Sequence, residues 1–290
     1  PITDHRQPLL VNHEVINLPS ATVLAELRRD VQSRQLPTKD LAIVADPVFS
    51  RLDERLRLSQ NDSLNDSPIG AANSAVNQPM ATAFDSVMRS TTERDAGGLS
   101  RLHYSRREAF KIAALAPENK RLLALDFQAN RSLATEGLLS SYRYVHFATH
   151  GLLNGQSPEL SGLVLSLVND KGESQLGVLR LDDIYKLNLS AELVVLSACR
   201  TGLGKEIRGE GVIGLTRGFM HAGVPRVISS LWSVDDAATA ELMARVYREL
   251  MSGKSNATAA LRSAQLSLWK TKKWQSPYYW AAFTLQGEPR

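Results

Sequence analysis

LVVLSACRTGLG, residues 193–204, decides how this chain is read. Four large apolar residues in succession describe a strand buried on both faces, and the Cys199-Arg200-Thr201-Gly202 turn closes it. About 50 residues upstream a second apolar run, YRYVHFAT (142–149), ends on His150-Gly151. Each pair falls at the carboxyl end of a buried strand. If the two strands are parallel neighbours, a thiol and an imidazole share the sheet edge where open α/β folds keep their sites. A thiolate attacks carbonyl carbon, and a histidine both takes the thiol proton and passes it to the leaving amine. Gly151 has no side chain to hinder its amide, which with that of Cys199 would face an oxyanion.

Working outward, strands alternate with helices. Leu9–Leu18 reads as a strand, and Ser20 caps a helix running ATVLAELRRDVQS. Leu41–Ala45 is a buried strand closed by Asp46-Pro47, and 51–58 is charged and helical. Ser105 and Glu108 have capping-box spacing before an apolar face of Phe110, Ile112, Ala113 and Leu115. A strand at 122–125, a helix at 132–140, an apolar segment at 163–168 and a short helix at 181–187 lead to the cysteine strand. Beyond it lies a helix at 208–222, with Gly211, Gly214 and Gly218 reading as close packing of helix on sheet. A strand at 225–232, amphipathic helices at 235–252 and 255–269, and a closing strand at 278–285 complete the chain. This alternation predicts an α/β three-layer sandwich on a mostly parallel central sheet. It forms one domain over 1–290: an N-terminal portion to 58, an Asn/Ser/Asp-rich insertion at 59–100, read as flexible, and the catalytic core at 101–290.

Composition removes other classes. A net charge of +4, scattered rather than striped, argues against a nucleic-acid partner. No apolar run approaches the roughly 18 residues of a membrane span, and no signal peptide opens the chain. A single cysteine excludes an internal disulfide and a thiolate metal cage and fits a reducing cytoplasm. No histidine has metal-ligand company, so neither metal nor cofactor is expected. Gly209–Gly214 (GEGVIG) matches the dinucleotide fingerprint but does not directly end a strand. Ser197 lacks the G-x-S-x-G elbow of a serine hydrolase. Since it opens on Pro1 rather than Met, the chain is expected to be an excerpt of a longer polypeptide.

In order, VHFATHG (145–151), LSGLVLS (160–166), DIYKLNL (183–189), LVVLSACRTGLG (193–204) and GEGVIGLTRGFMHAGVPRVISSLWSVDD (209–236) resemble the CHAT family of caspase-like cysteine proteases. The resemblance implies a caspase–hemoglobinase fold, a His150–Cys199 dyad, and an oxyanion hole made by the amides of Gly151 and Cys199. It also implies a protein or peptide substrate, and control by fused upstream TPR-type repeats or an activating partner. The related separases prefer arginine before the cut and carry their specificity acid after a Leu-Trp pair similar to Leu231-Trp232. That makes Asp235 the first candidate for the S1 pocket, Asp236 the second, and Trp232 a wall of the groove. The plain alternative for Asp235 is a helix cap. The alternative for the whole chain is a catalytically idle interaction module. Arg89 and Arg94 within the insertion are candidate self-cleavage points.

Overall fold

The computed structural model describes residues 7–18, 20–32, 34, 36–56, 99–154, 161–197, 199–203, 210–232 and 234–289, with backbone alone at 30–32, 153–154, 199–203 and 210–213. The expected flexible insertion lies outside the described residues together with its two arginines, except for its last two residues, Leu99 and Ser100.

The chain order is β1 (Ile16–Asn17), α1 (Ala21–Gln32), β2 (Lys39–Pro47), α2 (His103–Ala113), β3 (Arg121–Asp126), α3 (Arg131–Thr135), β4 (Tyr142–Ala148), β5 (His150–Asn154), β6 (Gly162–Val164), β7 (Val178–Arg180), α4 (Leu181–Tyr185), β8 (Leu193–Leu196), β9 (Cys199–Leu203), α5 (Glu210–His221), β10 (Arg226–Ser230), α6 (Asp236–Met251), α7 (Ala257–Trp269) and β11 (Phe283–Gly287). Seven strands form the central sheet in the order β1-β11-β10-β8-β4-β2-β3. All neighbours in it are parallel except β10 and β11.

Alternation along each strand explains the layers, because successive side chains point to opposite faces. On one face Ala42, Val44, Val145, Phe147, Val194 and Val227 pack under α1, α4 and α5 through Leu27, Ile184 and Phe219. On the other, Leu41, Ile43, Tyr144, Val195 and Ile228 meet Ile112 of α2, Val246 and Tyr247 of α6, and Leu261 of α7. Both faces are covered, so the strands read as continuous apolar runs. The predicted α/β three-layer sandwich on a mostly parallel sheet is the architecture found.

Four local expectations change. At 9–18 there is a 3₁₀ turn (Leu9–Val11) and a two-residue strand rather than one long strand. Arg262 holds that turn through the carbonyls of Leu10 and Val11. Ser105 is not a cap: helix α2 begins at His103, Ser105 Oγ donates to the Leu102 carbonyl at 2.6 Å, and Phe110 is solvent-exposed. The last strand starts at Phe283, not Tyr278, because the Gln265 amide donates to the Trp280 and Phe283 carbonyls and holds the chain in a turn between them. Gly218 packs on a helix and not on the sheet: a Cβ there would lie 2.8 Å from Leu181 Cδ1 and 3.1 Å from Ile184 Cγ2, both on α4.

Candidate active site

A second, four-stranded sheet, ordered β7-β6-β5-β9, stands beyond the carboxyl edge of the first. Strands β4 and β8 are parallel neighbours, paired from Tyr144–Leu193 to Phe147–Leu196. Each continues into a strand of the small sheet: β4 into β5 at His150, and β8 into β9 at Cys199. There His150 is the register partner of Cys199 and Gly151 of Arg200, in a parallel pairing. Parallel neighbours sit about 4.8 Å apart, so the two sequence-predicted residues have adjacent backbones. Two buried strands therefore bring together residues that the sequence separates by about 50 positions.

His150 is 5% exposed, and its ring lies 5.0 Å from that of Phe49. Its Nε2 is 2.7 Å from the Ser100 carbonyl oxygen. A carbonyl only accepts, so Nε2 carries the hydrogen of the neutral ring and Nδ1 keeps the lone pair. Nδ1 is buried and has no hydrogen-bond partner among the described residues. Burial lowers the His150 pKa below the ordinary imidazole value, and the Ser100 carbonyl and the negative charge of Asp236 offset this only in part. The ring is thus neutral at pH 7, with a fixed tautomer and an open basic nitrogen.

No side chain in the sequence pattern stands out as the group that orients this histidine; the Ser100 carbonyl does so. Arg101 anchors that carbonyl in place through a two-pronged contact with Asp46, Nε to Oδ1 at 2.9 Å and Nη2 to Oδ2 at 2.8 Å. Asp46 closes β2 with a left-handed φ of 47° and has no side-chain exposure. Arg106 of α2 donates to the same carboxylate at 2.5 Å, and Arg55 donates to the Asp46 carbonyl at 2.7 Å. Asp126, at the end of β3 with φ 54°, receives both Arg55 and Arg106. Three guanidiniums and two carboxylates thereby rivet residues 99–106 to the edge that carries His150.

The acidic candidates part company. Asp235 is exposed and caps α6, its Oδ1 accepting the Ala238 amide at 2.9 Å. Asp236 turns inward, where its charge acts on His150. It also lines a cavity of about 20 Å³ shared with Leu102, Ser105, Glu108, Ser197 and Thr239. Trp232 is half-buried, and its Nε1 donates to the Tyr278 carbonyl at 3.2 Å.

Sequence reasoning misses the role of Glu108. Its carboxylate is 3.0 Å from His146 Nε2, both side chains are buried, and Tyr247 packs edge-on to the imidazole at 5.4 Å. His146 is thus a core residue, as its place within a strand suggests, with Glu108 beside Nε2 and with Nδ1 buried without a hydrogen-bond partner among the described residues. The signal for its partner is a glutamate three residues beyond Ser105, a spacing that also reads as a cap. No group of metal-ligating side chains occurs among the described residues, and no helix among them is long and apolar enough to cross a membrane.

A sequence profile of the CHAT domain matches residues 2–288. Tetratricopeptide repeat protein 28 of Mus musculus is 36% identical over 105 residues, covering 36% of this chain and 4% of that protein. Its Homo sapiens counterpart is 37% identical over 105 residues, with the same coverage of 36% and 4%. The chain thus spans a small fraction of the length of these curated relatives. Among solved structures, the chain is similar to the Saccharomyces cerevisiae separase–securin complex, at 13% identity and a TM-score of 0.46 over 95% of this chain and 14% of that one. It is also similar to the Arg-specific cysteine proteinase gingipain R, at 14% identity and a TM-score of 0.43 over 66% and 42%.

Proposed function

The chain belongs to the CHAT-domain family, and from that premise we propose that it is a cysteine endopeptidase working through a His150–Cys199 dyad. The observation that carries the reading is the register pairing of His150 with Cys199, together with an imidazole that is neutral, held at Nε2 and open at Nδ1. In this scheme Nδ1 takes the thiol proton, the thiolate adds to the peptide carbonyl, and the same nitrogen protonates the departing amine. Water then hydrolyses the thioester. The amides of Cys199 and Gly151, one register step apart on neighbouring strands, are assigned to the oxyanion. The substrate is a protein or peptide. Since the curated relatives are tetratricopeptide repeat proteins, fused repeats or a partner of that kind would govern access, in the cytoplasm.

The test is a positional fluorogenic peptide library, run with and without prior alkylation by iodoacetamide. Cys199 is the single cysteine, so alkylation has one thiol to hit. Cleavage that vanishes on alkylation supports the reading. Cleavage that persists ends it. A chain that cleaves nothing and alkylates no faster than a free thiol is the idle interaction module.

The buried imidazole sets the pH profile. Because the folded pKa of His150 is depressed, the base stays unprotonated as the pH falls through 6.5, the ordinary imidazole value. The acid limb of kcat/KM should therefore have its midpoint below 6.5; a midpoint at or above that value contradicts the buried, neutral base.

Specificity rests on a different group. Asp236, and not Asp235, is the acid we assign to a basic residue before the cut, because it is the one directed at the site. Asp236→Ala should lower kcat/KM for arginine at that position, relative to leucine, by roughly 10²-fold, the usual scale for removing one partner of a desolvated charge pair. Asp235→Ala should leave the ratio unchanged and cost about 1 kcal/mol of stability through the lost cap. Equal ratios in wild type and Asp236→Ala would remove the basic preference from the proposal.

A further inference from the structure

The opposite edge of the central sheet has a cavity that the dyad does not use. It measures about 140 Å³ and is lined by Arg143, Tyr144, Glu192, Arg226, Ser255 and Asn256. Its walls are the amino ends of β4, β8 and β10, the strands whose other ends lead to His150, Cys199 and Trp232. Helix α7 starts there, with Asn256 as its cap and Ala257 as its first residue, so the partial positive charge of a 13-residue helix faces the same space.

Arg226 is the group that needs explaining. It is 9% exposed, and its Nε is buried without an acceptor. The one hydrogen bond its side chain makes among the described residues is a long 3.5 Å contact from Nη1 to the Glu192 carbonyl. Two carboxylates are near, and both are already held by other arginines. Glu192 accepts from Arg143 at 3.0 Å, and Glu288 from Arg28 at 2.5 Å. No carboxylate among the described residues lies within ion-pair distance of Arg226. Burial pulls its pKa down, and the attraction of Glu192 and Glu288 does not make up the difference. A buried cation short of acceptors is costly to keep unless something completes its shell.

Charge and size define what would complete it. Arg143 and Arg226 against Glu192 leave the lining one positive charge in excess. A monoanion balances that excess, whereas a dianion would face repulsion from Glu192. The planar guanidinium fork matches a carboxylate in two-pronged geometry. The start of α7 supplies further donors, whereas the Ser255 hydroxyl already donates to Glu249 at 3.3 Å. The volume suits one carboxylate with a short stem and not a nucleotide.

We propose that this cavity binds a single carboxylate group, brought by a small organic acid or by an acidic side chain of a neighbouring protein segment. The site stands apart from the dyad and does not depend on the protease reading.

The test titrates the chain at constant chloride-balanced ionic strength, following backbone amides around Ala257 by NMR. One arm uses acetate. The other uses acetyl-Gly-Glu-Gly-amide, with its glutamine analogue as control. Arg226→Gln removes the charge at similar volume. Asn256→Asp keeps an equally good cap and adds a negative charge at the rim of the cavity, where it competes with a bound anion. Saturable binding that weakens at least tenfold in both variants, together with a higher Tm for Asn256→Asp, is the expected result. Tighter binding of the glutamate peptide than of acetate identifies a protein side chain as the ligand, and the reverse order a small acid. Should Arg226→Gln fail to fold, Asn256→Asp decides alone. Acetate and the peptide both failing to saturate, or binding equally well to wild type and Asn256→Asp, overturns the site.

Discussion

Cys199→Ala and His150→Ala are each expected to slow peptide cleavage by at least about 10³-fold, and the double variant should be little worse than either alone. The argument is that the two residues form one device. Without the thiol no acyl-enzyme forms. Without the imidazole the thiol must ionise unaided at pH 7, and the leaving amine has no proton donor. Non-additivity separates this device from two independent contributions to folding, which would multiply. The structure makes the His150 arm sharp. Its ring is held by a main-chain carbonyl and by packing on Phe49, so truncation removes a basic nitrogen and no direct side-chain contact to a charged group among the described residues. Progress curves on the best library substrate, with urea melts to confirm folding, give the factors. Retention of more than about a tenth of wild-type rate by His150→Ala would move the base elsewhere and leave the dyad without support.

How much of this is legible in the sequence depends on how local the cause is. The strands ending near His150 and Cys199 can be read because a doubly buried strand writes itself as an apolar run, and two such runs in an α/β alternation are parallel by topology. The second sheet cannot. Strands β5 and β9 contain His150-Gly151, which reads as the end of a strand, and Cys199-Arg200-Thr201-Gly202, which reads as a turn, and only their mutual pairing makes them strands. The same holds for the group that orients His150. A backbone carbonyl leaves no mark in side-chain sequence. Its anchor joins Arg101 to Asp46, and the insertion separates the two. Asp46 reads as punctuation before Pro47, which is its local role; its role as the acceptor for three arginines is tertiary. Glu108 misleads for a related reason. Its spacing from Ser105 satisfies a capping rule, but a buried histidine across the layer claims the carboxylate. Asp235 and Asp236 are neighbours with opposite fates because helix α6 starts between them, and a boundary one residue away would exchange their roles.

The second large effect is expected at Asp46. Asp46→Asn should cost about 3–5 kcal/mol, the range for removing one member of a buried ionic cluster and leaving the others uncompensated. Asparagine keeps the shape and tolerates the left-handed φ of 47°, so the change isolates the charge. Arg55, Arg101 and Arg106, with side chains 10%, 19% and 28% exposed, would all lose an acceptor. Arg55 and Arg106 would retain Asp126, but among the described residues Arg101 would keep only Glu54, which is 76% exposed and so a weak partner. The weakest link created is therefore the one that holds Ser100 against His150. Urea denaturation measures the first consequence. The second is a fall in kcat with KM little changed, since the carbonyl positions the base and does not bind substrate. Arg101→Ala separates the two: it removes the contacts to Asp46 and Glu54 but leaves Asp46 paired with Arg106 and Arg55, so the stability loss should be about 1.5–3 kcal/mol with a comparable fall in kcat. A kcat defect equally large in a His150→Ala background would mean that the cluster acts on folding alone. An Asp46→Asn protein within about 1 kcal/mol of wild type would mean that the three arginines find other acceptors and the rivet is not what fixes this edge.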